Sequence, residues 1–267
     1  MRHVTSRDGT LIAYDVVGEG PPVVLVGGGL TDRTAAAPLA AALSADFTVY
    51  AYDRRGRGDS GDTPPYDVER EVEDLRVVIA AAGGSAYVYG TSSGAALALE
   101  AAASELGIRR LALWEPPYIV GDSRPRPPAG LAEHYRSLVA LGRRGDAVEH
   151  FFLHTVGLPE AFVAEARQAP WWPALEALAH TIAYDAAIMS DYTLPTARAA
   201  GVEMPTLVLC GGASYEWICE SAQALAAALP DGRFLLLEGQ EHAVAPEAVA
   251  PILIKFFARE RAVGEAP

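Results

Sequence analysis

Two kinds of apolar pattern alternate along this chain. Val23-Val24-Leu25-Val26 is a continuous apolar run, the mark of a strand buried on both faces. Short runs of the same kind recur at Thr48 to Tyr52, Ala86 to Tyr89, Leu111 to Trp114, Thr206 to Cys210 and Phe234 to Leu237. Between them lie helical stretches: Thr31 to Leu43, about Val68 to Ala82, Ala95 to Ala103, Ala222 to Leu229 and Pro251 to Glu260. Ahead of the first buried run, Arg2 to Ser6 and Thr10 to Val17 alternate apolar and polar residues around Arg7-Asp8-Gly9. Asp-Gly between alternating runs is a hairpin signal. The pattern predicts an α/β fold: a mostly parallel eight-stranded sheet flanked by helices, opened by an antiparallel hairpin.

The alternation stops at Glu115-Pro116-Pro117. From about Asp122 to Ala200 the periodicity is helical only. Leu131 to Leu141, Asp146 to Val156, Glu160 to Gln168 and Pro173 to Ser190 are the expected helices. An all-helical insertion after the sixth strand reads as a lid. The expected division is therefore a core of residues 1–117 and 204–267 and a helical lid of residues 118–203.

Composition narrows the class. A 267-residue chain, 51% hydrophobic and 21% charged, can bury a full core. Its formal net charge of −13 opposes binding to nucleic acid or anionic membranes, and neither is expected as a partner. Cys210 and Cys219, the two cysteines, form neither a disulfide framework nor a metal site by spacing, and read as reduced thiols. Met1 to Thr10 is polar, so no signal peptide is expected, and no run approaches the ~20 apolar residues of a membrane span. A cytoplasmic enzyme follows as the default, and a homodimer is compatible with the chain.

The chemistry gathers at Gly90-Thr91-Ser92-Ser93-Gly94, a G-x-S-x-G motif between an apolar run and a helix of small residues. That context is what a nucleophile elbow requires: a sharp strand-to-helix turn exposing the Ser92 hydroxyl beside a helix N-terminus. A serine needs an imidazole to take its proton and a carboxylate to orient that imidazole. Of six histidines, only His242 follows the last predicted strand, at the sheet edge where Ser92 emerges. The oxyanion donors expected are the amides of Ser93 and of Gly29, the latter closing Gly27-Gly28-Gly29 after the third strand. His150 and His154 share a helical face without a carboxylate partner, so no metal and no cofactor are expected.

These landmarks together resemble the α/β-hydrolase superfamily over almost the whole chain. The matching pieces are Val23 to Gly29, the Asp53 to Ser60 loop, Gly90 to Gly94, Pro205 to Gly211 and the His242 loop. The resemblance implies an α/β-hydrolase fold and a structural role for the Asp53 to Ser60 loop. It also exposes two departures. Many relatives carry His-Gly where this chain has Gly27-Gly28. Many place the triad acid after the seventh strand, where this chain has Ser214. In the acid's placement the chain is similar to zearalenone-type lactone hydrolases, which implies Glu115, directly after the sixth strand, as the acid. Glu216 is the next candidate and Asp122 a weaker one.

The expected function is cleavage of a carboxylic ester or lactone through an acyl-enzyme. Ser92, His242 and Glu115 are the expected triad, and Gly29 and Ser93 the expected oxyanion donors. Leu30, Trp171, Trp172 and Tyr184 are expected to line a pocket for a small apolar or aromatic substrate. Alternatives on the same triad are C–C bond hydrolysis, perhydrolysis or amide cleavage. A low-turnover small-molecule receptor is the alternative from another class.

Overall fold

The computed structural model describes residues 1–104 and 106–258. Eight strands form one sheet in the order β1-β2-β4-β3-β5-β6-β7-β8. They are β1 (Arg2–Thr5), β2 (Leu11–Val17), β3 (Pro22–Val26), β4 (Thr48–Tyr52), β5 (Ala86–Thr91), β6 (Ile108–Trp114), β7 (Thr206–Gly211) and β8 (Gly232–Leu237). The Asp8-Gly9 turn joins β1 to β2 antiparallel, with Gly9 at φ 89°. β2 pairs antiparallel with β4, and every later pairing is parallel. The central strands are apolar along their length because both faces are covered: β7 is buried at every residue.

Core helices α1 (Ala37–Leu43), α2 (Val68–Ala81) and α3 (Ser93–Ala102) cover the sheet. Two apolar clusters result. One is built on Val24, Val26 and Val88 with α2 and α3, the other on Val23, Leu25 and Tyr89 with α1 and the C-terminal helix. The two clusters alternate along β3, as a period of two requires.

Between β6 and β7 lie α4 (Leu131–Ala140), α5 (Arg144–His150), α6 (Glu160–Ala166), α7 (Trp172–Leu178), α8 (Ile182–Met189) and α9 (Thr196–Ala199). Two expected single helices are interrupted. The run Asp146 to Val156 changes at His150 from α-helix to a π-helical turn, Phe151–Val156. The run Pro173 to Ser190 is broken by a 3₁₀ turn at Ala179–Thr181. Helices α10 (Glu216–Ala228) and α11 (Pro246–Phe257) complete the α/β pattern. α11 ends at Phe257, and Glu260, its expected last residue, lies outside the described residues.

The cysteines correct the sequence reading, because Cys210 and Cys219 form a disulfide with Cα atoms 5.4 Å apart. Spacing alone gave no reason to pair them. Pairing follows from the fold, since α10 turns back onto the end of β7 and returns its first turn to the strand it left. Among the described residues no helix is long and apolar enough to cross a membrane.

Candidate active site

The elbow takes the expected form. β5 ends at Thr91, α3 begins at Ser93, and Ser92 between them adopts φ 54° and ψ −125°. A non-glycine residue with positive φ is strained, and such strain gathers at functional sites. The flanking glycines make the turn feasible. A Cβ on Gly90 would lie 2.6 Å from the Gly94 carbonyl oxygen, and one on Gly94 would collide with the Gly27 carbonyl. The Ser92 amide donates to the Trp114 carbonyl (2.8 Å), which ties the elbow to the end of β6.

That same strand end presents Glu115. Its φ is 46°, and Pro116 and Pro117 follow. The positive φ turns a fully buried side chain back across the sheet edge. Its Oε1 accepts from the Gly211 amide (2.8 Å) and its Oε2 from the Ser214 hydroxyl (3.0 Å). Oε2 also lies 2.5 Å from His242 Nδ1. Ser214, at the position where relatives carry the acid, thus donates to an acid that arrives from the neighbouring strand. Glu216 is exposed in the first turn of α10 and Asp122 is exposed as well, and neither hydrogen-bonds to His242.

The His242 loop is pinned from two sides. Trp114 Nε1 donates to the His242 carbonyl (2.9 Å), and the Ala213 amide donates to the Gln240 carbonyl (2.9 Å). Gly211 must lack a side chain, because its Cβ would overlap the Gln240 carbonyl.

Ser92 and His242 stand between two cavities. The larger, of about 650 Å³, is walled by Phe151, Met189, Tyr192, Trp217 and Ile218. The smaller, of about 460 Å³, runs past the Gly27 to Gly29 loop to Leu39, Tyr89 and Trp114. Gly29 and Phe151 line both. Ser93 lines the larger one, and its amide stands at the unsatisfied N-terminus of α3.

Four residues expected at the substrate line neither cavity. Leu30 is buried in the core with φ 53°. Trp171 is 48% exposed, whereas Trp172 turns inward and donates to Glu176 Oε1 (2.8 Å). Tyr184 stacks on Tyr66 at 3.9 Å and donates to Asp62 Oδ2 (2.7 Å). The physical reasons differ: Leu30 packs into the core, Trp171 in the turn before α7 faces solvent, and Trp172 and Tyr184 are taken up by protein partners.

Residues that the sequence reading left aside do reach the site. Asp185, on α8, lines the larger cavity and is 3% exposed. Its carboxylate accepts from Arg54 Nη1 (2.9 Å) and Arg57 Nη2 (2.8 and 3.0 Å). Burial pushes its pKa up, but Arg57, Arg54 and the Ser93 hydroxyl pull harder, so the net shift is downward. Arg54 is gripped a second time by Glu71, through Nε (2.7 Å) and Nη2 (2.8 Å). Two buried cations and two buried carboxylates therefore balance beside the Gly27 to Gly29 loop. No local pattern announces such a cluster, because Asp185 is 128 residues from Arg57 in sequence.

A histidine cluster lies farther out on the insertion. The rings of His134 and His154 are 4.7 and 4.5 Å from that of His150. Burial, then the charges of His154 and His134, lower the His150 pKa to about 4. Among the described residues no group of three His, Cys, Asp or Glu side chains is arranged to hold a metal ion.

A G-x-S-x-G elbow, a histidine after the last strand and an acid at the same sheet edge define the architecture of an α/β hydrolase. The comparisons agree: the Alpha/beta hydrolase family matches residues 23–252, and the chain belongs to that family. It is similar to an alpha/beta hydrolase from Sphaerobacter thermophilus DSM 20745, with 57% identity, 96% of this chain and 100% of that one covered, and a TM-score of 0.92. The enol-lactonase from Burkholderia xenovorans LB400 shares the fold at 24% identity, with 97% and 100% covered and a TM-score of 0.71. Polyketide synthase ThaQ of Burkholderia thailandensis is 28% identical over 90% of this chain, and the chain spans only 12% of that curated relative's length.

Proposed function

We propose that the chain is a serine hydrolase of carboxylic esters or lactones. Ser92 Oγ attacks the carbonyl carbon while His242 Nε2 takes its proton. The Gly29 and Ser93 amides bind the oxyanion. Collapse of the tetrahedral intermediate breaks the C–O bond, and His242 returns the proton to the leaving alcohol. Water then attacks the acyl-enzyme by the same proton transfers and releases the acid. Glu115 holds the Nδ1–H tautomer and stabilises the imidazolium.

The observation that carries this reading is the buried Glu115 carboxylate 2.5 Å from His242 Nδ1, with His242 and Ser92 on the walls of the same cavities. Among the described residues the His242 ring has no other hydrogen bond. Its bond to the nucleophile belongs to the substrate complex, where catalytic contacts tighten. An acid arriving after β6 also supports the resemblance to zearalenone-type lactone hydrolases. The mainly apolar walls of Phe151, Met189, Trp217, Leu39 and Trp114 favour a substrate with apolar groups on both sides of the scissile bond. The helical insertion acts as the lid over the larger cavity.

The test is hydrolysis of a panel of p-nitrophenyl esters and aromatic lactones by the wild type and by Ser92→Ala. The expected result is turnover that Ser92→Ala abolishes, a loss on the order of 10³–10⁶ in kcat. No turnover by the wild type, or a Ser92→Ala rate above a tenth of it, overturns the proposal.

A further inference from the structure

The Gly27 to Gly29 loop is held from behind by its carbonyl oxygens. Arg57 Nη1 donates to the Gly28 carbonyl, and Thr31 Oγ1 donates to the same oxygen (2.9 Å). Arg54 Nη1 reaches the Gly27 carbonyl at 3.3 Å. Both guanidiniums are in turn fixed by Asp185. Arg54 and Arg57 are 2% and 1% exposed, so neither carries a water shell that could compete.

The Gly28 carbonyl and the Gly29 N–H belong to one peptide plane. In a planar trans peptide these two groups point in opposite directions. Whatever fixes the Gly28 oxygen therefore aims the Gly29 N–H the other way. The oxygen is drawn toward Arg57 and Thr31, and Gly29 lines both cavities. A cationic donor on the carbonyl also polarises the peptide and strengthens its N–H as a donor. Glycine supplies no side chain that could stiffen the loop. A Cβ at Gly28 would press on the Ser92 Cβ and the Thr91 carbonyl at 3.1 Å. Stiffness must come from outside the loop, and the buried ion cluster supplies it.

We propose that Arg57, oriented by Asp185 from the helical insertion, is a positioning residue that aims and polarises the Gly29 amide at the oxyanion. The inference rests on the proposed hydrolase reading, because the amide has a target only if an oxyanion forms at Ser92. It gives the absent His-Gly pair a replacement: the loop's order comes from arginines in the Asp53 to Ser60 segment. It also couples the insertion to the chemistry, since Asp185 leaves α8 to complete the cluster.

The experiment compares Arg57→Met, Arg57→Lys and Thr31→Val with the wild type. Three quantities are read: kcat and KM for a p-nitrophenyl ester, and inhibition by an aryl trifluoromethyl ketone. That ketone forms a tetrahedral oxyanion on a serine and so reports the oxyanion site separately from ground-state binding. Losing one oxyanion donor outright costs about 10²–10³ in kcat. A misaimed donor should cost about 10- to 100-fold in Arg57→Met, with KM within about threefold and ketone affinity weakened in parallel. Arg57→Lys, which keeps a charged donor, should recover part of both. Thr31→Val leaves the ion cluster intact and should show the same paired loss at about two- to tenfold, so it decides the matter if Arg57→Met does not fold. Loss of kcat without loss of ketone affinity overturns the positioning role, as does wild-type behaviour of the folded variants. A wild type that neither turns over esters nor binds the ketone would instead remove the hydrolase reading itself.

Discussion

Replacing Glu115 by glutamine changes one atom in a fully buried group and should nearly stop turnover. The surroundings dictate how the new amide sits. Glu115 Oε1 accepts from the Gly211 amide at 2.8 Å, a backbone donor that cannot move. An NH₂ group facing that amide would set donor against donor, so the Gln oxygen takes the Gly211 side. The NH₂ then faces His242 Nδ1, 2.5 Å from Oε2 in the wild type. A donor there requires Nδ1 to be an acceptor, and the imidazole proton moves to Nε2. In that tautomer His242 cannot take a proton from Ser92. Ser214 adapts, because its hydroxyl can accept as well as donate. In serine proteases the wrong tautomer costs roughly 10⁴ in kcat, and a loss on the order of 10³–10⁴ is expected here. Steady-state kinetics with a p-nitrophenyl ester measures it, with Glu216→Gln as the exposed control at the wild-type rate. A Glu115→Gln enzyme retaining more than a tenth of the wild-type kcat, or a larger loss in Glu216→Gln, would refute the tautomer reasoning.

Phe151→Ala, which opens the wall shared by both cavities, should raise KM for naphthyl esters by about tenfold and for acetate esters far less. Trp171→Ala, at an exposed position, should change neither. Equal effects of the two substitutions in KM measurements would contradict the cavity assignment. The His150 pKa of about 4 lies below the unfolded value near 6.5. A depressed folded pKa means that the unfolded chain binds the extra proton, so this contribution is complete above pH ~6.5 and disappears as pH falls toward 4. Thermal melting should therefore show a fall in Tm from pH 6.5 to 4 that flattens in His150→Gln. An unchanged slope would mean that the cluster does not titrate in this way.

Much of the fold was legible because burial leaves a local record. The inner strands, covered on both faces, read as unbroken apolar runs and the opening hairpin as an alternation, and each of the eight was found within a few residues of its observed position. The elbow was legible because its glycines are required by contacts only a few residues away. The interruptions were less visible. Phe151–Val156 continues the apolar periodicity of α5 but is wound as a π-helix, which shifts the faces of its own side chains before the chain turns at Gly157. Helix α10 starts at Glu216, earlier than the expected Ala222, and Trp217, Ile218 and Cys219 of its first turn already pack against the core. Which lid aromatics face Ser92 could not be read either. Trp171 and Trp172 are adjacent in sequence, yet one is exposed and the other buried against Glu176. The Asp185 cluster was silent for another reason. Asp185 is separated from Arg54 and Arg57 by more than a hundred residues, and alone it resembles an ordinary surface charge.

The central claim is that Ser92 becomes covalently acylated, and trapping that species is its most direct test. The purified chain would be mixed with a p-nitrophenyl ester, quenched in acid within milliseconds and examined by intact-protein and peptide mass spectrometry. The account predicts a burst of p-nitrophenol, a mass increase equal to the acyl group, and its location on the peptide carrying Ser92. His242→Ala should suppress its formation and Ser92→Ala should abolish it. Turnover with no acylated protein at any quench time, or an acyl group borne by another residue, would contradict the account.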